Sequence, residues 1–196
     1  MIRKILRTTD PKLRTISKPV QKVDKKLLKL LRDLEDTVKA QKDPEGIGLA
    51  APQIGEFVCV FVIRDKHQIK TFINPEIVKS SKKTNDPKKK PEEEEYFMEG
   101  CLSLPHYYGP VERALSVTVK YQVPQLQPTA YGSTVLSSPS KDNLHTLQKT
   151  FRGFIAQVIQ HEIDHLKGRV FTERLIEQKR KLFKLYGDHW DEVELP

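Results

Sequence analysis

A chain of 196 residues with 34 Lys and Arg against 26 Asp and Glu carries a formal net charge of +8. The length favours one compact domain, 1–196, with room for a real core, while only two cysteines argue against a disulfide scaffold and for a reducing compartment, the cytoplasm by default. No apolar run reaches the roughly 18 residues of a membrane-spanning helix, and the positive balance describes a lysine-rich solvated surface rather than specific DNA recognition, though it suits a polyanionic neighbour.

The first residues, MIRKILRTTDPKLR, lack the apolar stretch and small-residue cleavage site of a secretory signal and do not read as an organellar transit peptide. Leu27, Leu30, Leu31, Leu34 and Val38 then recur at three- and four-residue spacing behind Asp24, a good N-cap, which predicts a helix from Asp24 to Ala40. A small, glycine-rich stretch, GIGLAAPQIG (46–55), follows. FVCVFVI (57–63) predicts a buried strand, and TFINP (71–75) a second short strand stopped by its proline. Residues 80–95, a lysine block and then a glutamate block, predict a polar, flexible loop. LSVTVKYQV (115–123) alternates like a half-buried strand, with HTLQKT (145–150) as its candidate partner. Between them, 124–143 is irregular and rich in Pro and Ser. The last strong helix runs from about Arg152 to Leu166, with Phe154, Ile155, Val158, Ile159 and Leu166 as its apolar stripe and Gly168 where a C-cap glycine belongs. A second, basic helix is predicted over 173–186. Strands followed by a helix that carries chemistry suggest an α+β domain.

That chemistry lies in VIQHEIDHLKG (158–168). On a helix, His161 and His165 lie one turn apart on one face and can point at the same ion. Glu162 is rotated by about 100° from His161, so it can reach a water at the metal without ligating the metal itself. Such an arrangement suits hydrolysis: a polarised carbonyl, an acidified water and a carboxylate to move the proton. Two imidazoles are too few ligands, and HExxH alone also occurs on ordinary amphipathic helices. An HExxHxxGxxH completion fails, because Phe171 occupies the position of the last histidine. Glu177, Glu192 and Glu194 are available downstream but sit in no recognisable second motif. The remaining soft candidates are Cys59, which reads as a small buried hydrophobe inside FVCVFVI, and Cys101, which reads as an exposed turn ligand in EGCLSLP.

Three separated stretches, GIGLAAPQ (46–53), EGCLS (99–103) and QHEIDHLKG (160–168), in that order, resemble the peptide deformylase family. The similarity extends to IRKILRTTDPKLRTISKPV (2–20) and VERALSVTVKY (111–121), so it covers most of the chain apart from the two polar stretches. The resemblance implies antiparallel β-sheets packed around a central helix carrying HExxH, with an N-terminal helix and a C-terminal helix. It implies that Cys101, His161 and His165 bind one divalent metal, Fe2+ by family habit, with Zn2+, Ni2+ or Co2+ also suited to the donor set. Glu162 would be the general acid/base. The Gln53 side-chain amide and the Leu102 backbone N–H would donate to the oxyanion. Gly46, Ile47 and Gly48 would bind the substrate backbone as an added strand, and Glu99 would be structural support with no chemical step.

By the same resemblance, the substrates are N-formyl-methionyl nascent peptides, the products formate and a free amino terminus. Ile47, Leu102 and Ile159 are candidates for the methionine pocket. Tyr108 stands near where some relatives carry a peptide-binding arginine. His67, His106, His145 and His189 read as surface residues, with lining of the cleft as the alternative for His106, which follows the cysteine motif closely. Arg174, Lys179, Arg180, Lys181 and Lys184 on the basic C-terminal helix could face ribosomal RNA phosphate. Two rivals stand beside this reading: a zinc peptidase completed by a distant glutamate, and a basic RNA- or ribosome-binding protein with a dead metal site.

Overall fold

The computed structural model describes residues 1–66, 68–86, 98–125, 127–128, 134–135 and 143–195. Most of the two expected polar loops, and His67, lie outside the described residues.

Helix α1 (Lys25–Ala40) begins as the sequence requires: Asp24 caps it by accepting from Leu27 N at 2.8 Å. Strands β1 (Gly48–Ala50), β2 (Val60–Asp65) and β3 (Gln68–Ser80) follow, with a 3-10 turn, Ala51–Ile54, between the first two. Next come β4 (Glu99–Cys101), β5 (Leu104–Gly109), β6 (Ser116–Pro124), the short pair β7 (Gln127–Pro128) and β8 (Thr134–Val135), and β9 (Leu144–Arg152). The chain continues with α2 (Gly153–Leu166), α3 (Phe171–Glu177), β10 (Leu182–Tyr186) and β11 (His189–Val193). All strand pairs are antiparallel, in sheets ordered β1-β2-β3-β6-β9, β11-β10-β5-β4 and β7-β8. The α+β expectation holds, as does the pairing of β6 with β9.

The large sheet lies between α1 and α2. Val60, Val62 and Ile73 pack with Leu27, Leu30, Leu34 and Val38 of α1, while Phe61, Ile63 and Phe72 pack with Ala156, Ile159 and Ile163 of α2. Both faces of β2 are covered, which is why its sequence reads as a continuous apolar run and not as an alternation. Phe72 anchors the α2 side, its ring 4.6 Å from Phe61 and 4.5 Å from Tyr121. A third core cluster, Cys101, Val111, Phe171, Leu175 and Leu182, ties α3 to the small sheet.

Two elements differ from the sequence reading. β3 is not stopped by Pro75; it runs on to Ser80. The β3–β6 register shifts between Ile73 and Glu76, which takes Pro75 out of the paired positions where its missing N–H would matter. Asn74 adopts φ 48° there, and its side chain bonds both Val20 N and Val20 O at 2.8 Å.

The predicted basic helix over 173–186 is also corrected. Helix α3 is only Phe171–Glu177, and 182–193 is a hairpin. Lys179 at φ 53° follows the end of α3, and Gly187 at φ 58° sits in a two-residue turn between paired Tyr186 and His189. A glycine–aspartate pair between two short apolar-polar runs is a hairpin signal, and here it outweighs the basic helical spacing.

Candidate metal centre and active site

Three short segments bring the chemistry together. The first is β1 and its 3-10 turn. Gln53, 1% exposed, accepts from Ala50 N through Oε1 at 2.8 Å. That bond fixes the flip of the amide, so Nε2 is the end that faces the site, 3.2 Å from Ser103 Oγ and 3.5 Å from Cys101 Sγ. The second is the turn from β4 to β5: Cys101 pairs with Leu104, which leaves Leu102 and Ser103 at the bend. Cys101 is buried at the end of β4, not exposed in a turn as expected, and Ser103 N donates to its sulfur at 3.4 Å.

The third is α2. His161 and His165 come from successive turns, with Nε2 atoms 3.1 Å apart and ring planes at 84°. Cys101 Sγ lies 3.2 Å from His165 Nε2. The ligating atoms of Cys101, His161 and His165 all fall within 4.8 Å of one another, and all three residues are buried. Gly168, φ 70°, closes the helix in the left-handed conformation.

Glu99 is where the structure adds most. Its carboxylate lies 2.8 Å from His161 Nδ1 and accepts two bonds from Arg113, at 2.9 and 2.7 Å. Arg113 also donates to Asp164 at 2.6 Å, and Arg174 donates to Asp164 twice, at 2.8 and 2.6 Å. Burial alone would raise the Glu99 carboxyl, but Arg113 and His161 hold it down at about 2. An ionised Glu99 can only accept, so His161 Nδ1 must donate and Nε2 turns its lone pair to the centre. Asp164 is likewise depressed: burial opposes ionisation, and Arg174 and Arg113 overcome it.

The site tolerates charge in a defined pattern. Burial opposes the Cys101 thiolate, yet the facing His165 and His161 hold the thiol well below its usual value. Glu162, 3% exposed, goes the other way: burial pushes it up to about 7, with the imidazoles opposing. Its Oε2 has no hydrogen-bond partner among the described residues. A Cβ on Gly48 would run into Glu162 Oε1, so the glycine makes room for that carboxylate.

A thiolate and two imidazoles would form a donor set suited to a first-row divalent ion. One cation between the two Nε2 atoms, 3.1 Å apart, and the Cys101 sulfur would satisfy all three donors at once, so the residues present fit a metal.

A cavity of about 280 Å³ opens onto this centre. Gln53, Cys101, Leu102, His161 and Glu162 line it, together with Ile47, Gly48, Met98, Phe154, Gln157 and Val158. Gly46 is not part of the lining; a Cβ there would strike Val38 O of α1, so its expected substrate role gives way to helix packing. Ile159 is also corrected: it is fully buried among the core residues between α2 and the large sheet. His106 is 39% exposed and also lines the cavity, the alternative left open for it. Phe171 is 1% exposed and packs 6.2 Å from the His161 ring, while Glu177 pairs with Arg169 and Glu192 pairs with Lys181, away from the centre.

Sequence reasoning missed Arg113 and Asp164. Asp164 lies three residues after His161, on the opposite side of HEIDH from Glu162, and a buried acid at that place needs a cation. The only further signal was VER (111–113), which precedes the β6 pattern and reads as an ordinary polar connection.

A family model described as polypeptide deformylase matches residues 2–138 and 133–181. The peptide deformylase of Pseudothermotoga lettingae is 37% identical over 180 residues, 92% of this chain and 86% of that protein. The crystal structure of peptide deformylase from Thermotoga maritima superposes with a TM-score of 0.69 at 30% identity, covering 89% of this chain and 97% of that one. A peptide deformylase structure from Legionella pneumophila gives 0.67 at 34% identity, over 91% and 92% of the two chains.

Proposed function

The chain belongs to the polypeptide deformylase family, metal-dependent hydrolases that take the formyl group from N-formyl-methionyl amides, and from that premise we propose how its own residues do so. The observation that carries the reading is the buried meeting of Cys101, His161 and His165 beside Glu162 and Gln53.

Cys101 Sγ and the two Nε2 atoms would hold the divalent ion, Fe2+ by the family resemblance, with Glu99 keeping His161 in the ligating tautomer. When bound, the ion supplies Lewis acidity to the formyl carbonyl and acidifies water. Glu162 takes the proton of the attacking water and delivers it to the departing amine; a carboxyl lifted by burial is suited to both halves of that transfer. Gln53 Nε2 and the Leu102 backbone N–H donate to the oxygen that becomes negative. Ala50 N fixes the other end of the Gln53 amide, and Nε2 exchanges its long bond to Cys101 Sγ for the oxyanion. Gly48, on edge strand β1, and Ile47, just before it, would pair with an extended peptide as an added strand. The methionine side chain would be received by the apolar part of the lining, Ile47, Met98, Leu102, Phe154 and Val158. A formyl carbon bears only hydrogen, so a tight site admits it and excludes acetyl by shape.

New chains at the ribosome are the substrate, and cytoplasmic action goes with that. A ribosome contact through the basic tail would fall to Lys179, Lys184 and Lys181, the last by giving up its exposed pair with Glu192, because Arg174 and Arg180 are largely covered and engaged by Asp164 and Asp86. It would show as salt-sensitive co-sedimentation that Lys-to-Glu changes at those three positions abolish.

The function is tested by formate release from formyl-Met-Ala-Ser. Anaerobically iron-loaded protein releases formate; Cys101→Ala and Glu162→Ala fall to background. No formate from the iron-loaded protein sinks the reading, and a fully active Glu162→Ala sinks the mechanism.

A further inference from the structure

The buried charges behind the metal centre form one line that ends near the surface. Glu99 accepts from Arg113 Nε and Nη2 at 2.9 and 2.7 Å, and its Oε1 also lies 2.8 Å from His161 Nδ1. Arg113 Nη1 donates to Asp164 Oδ2 at 2.6 Å. Arg174, on α3, meets the same carboxylate with a fork of its own, Nε to Oδ2 at 2.8 Å and Nη2 to Oδ1 at 2.6 Å. The first four members are each no more than 6% exposed. The Arg174 side chain is 27% exposed and lines a second cavity, of about 280 Å³, beside Glu112, Gln160 and Gln178.

The two glutamines clamp the main chain on either side of Arg113. Gln178 accepts from Glu112 N at 2.7 Å and donates to Glu112 O at 3.1 Å. Gln160 accepts from Ala114 N at 3.1 Å and donates to Ala114 O at 2.9 Å. The backbone is therefore fixed, and what can still adjust is the direction of the Arg113 guanidinium. Two buried carboxylates, Glu99 and Asp164, draw on that one cation. A planar guanidinium that turns its fork toward one turns it away from the other. Arg174 decides the balance: it is the donor to Asp164 Oδ1 among the described residues and a second donor to Oδ2. Asp164 is satisfied with a single N–H from Arg113, and the Arg113 fork goes to Glu99.

Resting on the metal-centre reading above, we propose that Arg174 is a positioning residue for His161, acting from α3 through Asp164, Arg113 and Glu99, and that metal retention and the order of α3 are coupled through it. Without Arg174, Asp164 Oδ1 is left buried and unpaired, a cost that Arg113 relieves by swinging its fork from Glu99. Glu99 then fixes the His161 tautomer and ring less tightly, and outer partners of this kind change metal affinity by about 10–100-fold. Arg174 stands further back in the line, so a smaller factor is expected. The linkage is reciprocal: what Arg174 adds to metal binding, metal binding adds to the hold of Arg174 on α3.

Zn2+-loaded protein mixed with excess chelator should release its metal about three- to tenfold faster as Arg174→Gln than as wild type. Arg174→Lys, which keeps a cation on Asp164 but loses the fork, should fall between. In an Asp164→Asn background, where no second carboxylate draws on Arg113, Arg174→Gln should add almost nothing. Hydrogen exchange reads the reciprocal effect: metal loading slows the amides of Phe171–Glu177 in wild type and not in Arg174→Gln. Ile176 is 55% exposed, and Ile176→Gly loosens α3 without touching Asp164, so metal release should stay at the wild-type rate. Wild-type release in Arg174→Gln, an undiminished effect of that change in Asp164→Asn, an α3 whose exchange ignores the metal, or equal acceleration by Ile176→Gly would overturn the coupling. Should Arg174→Gln fail to fold, Arg174→Lys alone and with Asp164→Asn decides. Wild-type protein that takes up no metal is a failure of the metal-centre reading; a metal-loaded protein indifferent to Arg174 is a failure of this inference alone.

Discussion

The inner end of the cavity and its mouth are built on neighbouring strands of one small sheet, β4 and β5, yet they are held by different forces. At the inner end His161, Glu99, Arg113 and Asp164 are each no more than 6% exposed, and every link between them is a charged hydrogen bond of 2.6–2.9 Å. At the mouth Tyr108 rests on Gly100 and on Trp190, which is 44% exposed, by contact alone. Buried charges have no substitute partner, so the inner end breaks sharply when one is removed. Packed aromatic rings at a wet edge lose contact area by degrees. Chemistry needs the first kind of rigidity.

The largest effect tests the charged frame. Arg113→Met leaves Glu99 and Asp164 buried without their shared cation and should cost about 3–5 kcal/mol by chemical denaturation. It should also weaken metal binding about 10–100-fold by equilibrium dialysis, because Glu99 no longer fixes His161. Glu99 and Asp164 both sit below their ordinary values in the folded protein. Their contribution is therefore complete above the usual carboxylate range and is lost as pH falls below about 4 toward 2. The wild-type melting temperature should drop through that window, and Arg113→Met, which removes the largest charge depressing Glu99 and one of the two arginines on Asp164, should drop less steeply.

Gln53→Ala comes next. It should lower kcat by about 10²–10³ with little change in KM, since the amide donates to charge that appears only in the transition state. Gly48→Ala should then lower kcat by about 10², because the new Cβ displaces the Glu162 carboxylate while the fold, followed by circular dichroism, stays intact. The smallest effect lies on the hairpin's outer face. Lys181 and Glu192 are 65% and 52% exposed, and Lys181→Ala should change stability by less than about 0.5 kcal/mol in urea melts. A loss of several times that size would mean that the hairpin is not as weakly held as the contrast requires.

The same contrast decides how much the sequence could reveal. His161, Glu162 and His165 lie on one helix with a fixed spacing, and Gln53 and Cys101 each sit in a short distinctive stretch, so the inner chemistry was legible. Helix α1 was legible because one amphipathic stripe and one cap determine it. Arg113 was not, because a buried cation looks like any surface arginine until its two carboxylates are placed in space. Gly46 and Gly48 look alike in the motif; only the structure shows one facing α1 and the other making room for Glu162. The hairpin was misread because 173–186 carries basic residues at helical spacing, whereas Lys179 and Gly187 in left-handed conformations interrupt it. Pro75 misled in the opposite direction: a register shift absorbs it, and the strand continues.

The central claim is that Cys101 completes the ligand set begun by two histidines on α2. X-ray absorption spectroscopy of the anaerobic, Fe2+-loaded protein reads that set directly. One sulfur and two imidazole nitrogens around the ion, with the sulfur lost in Cys101→Ala, is the predicted result. A shell of nitrogen and oxygen alone in the wild-type protein would contradict the account and return the distant carboxylates to consideration.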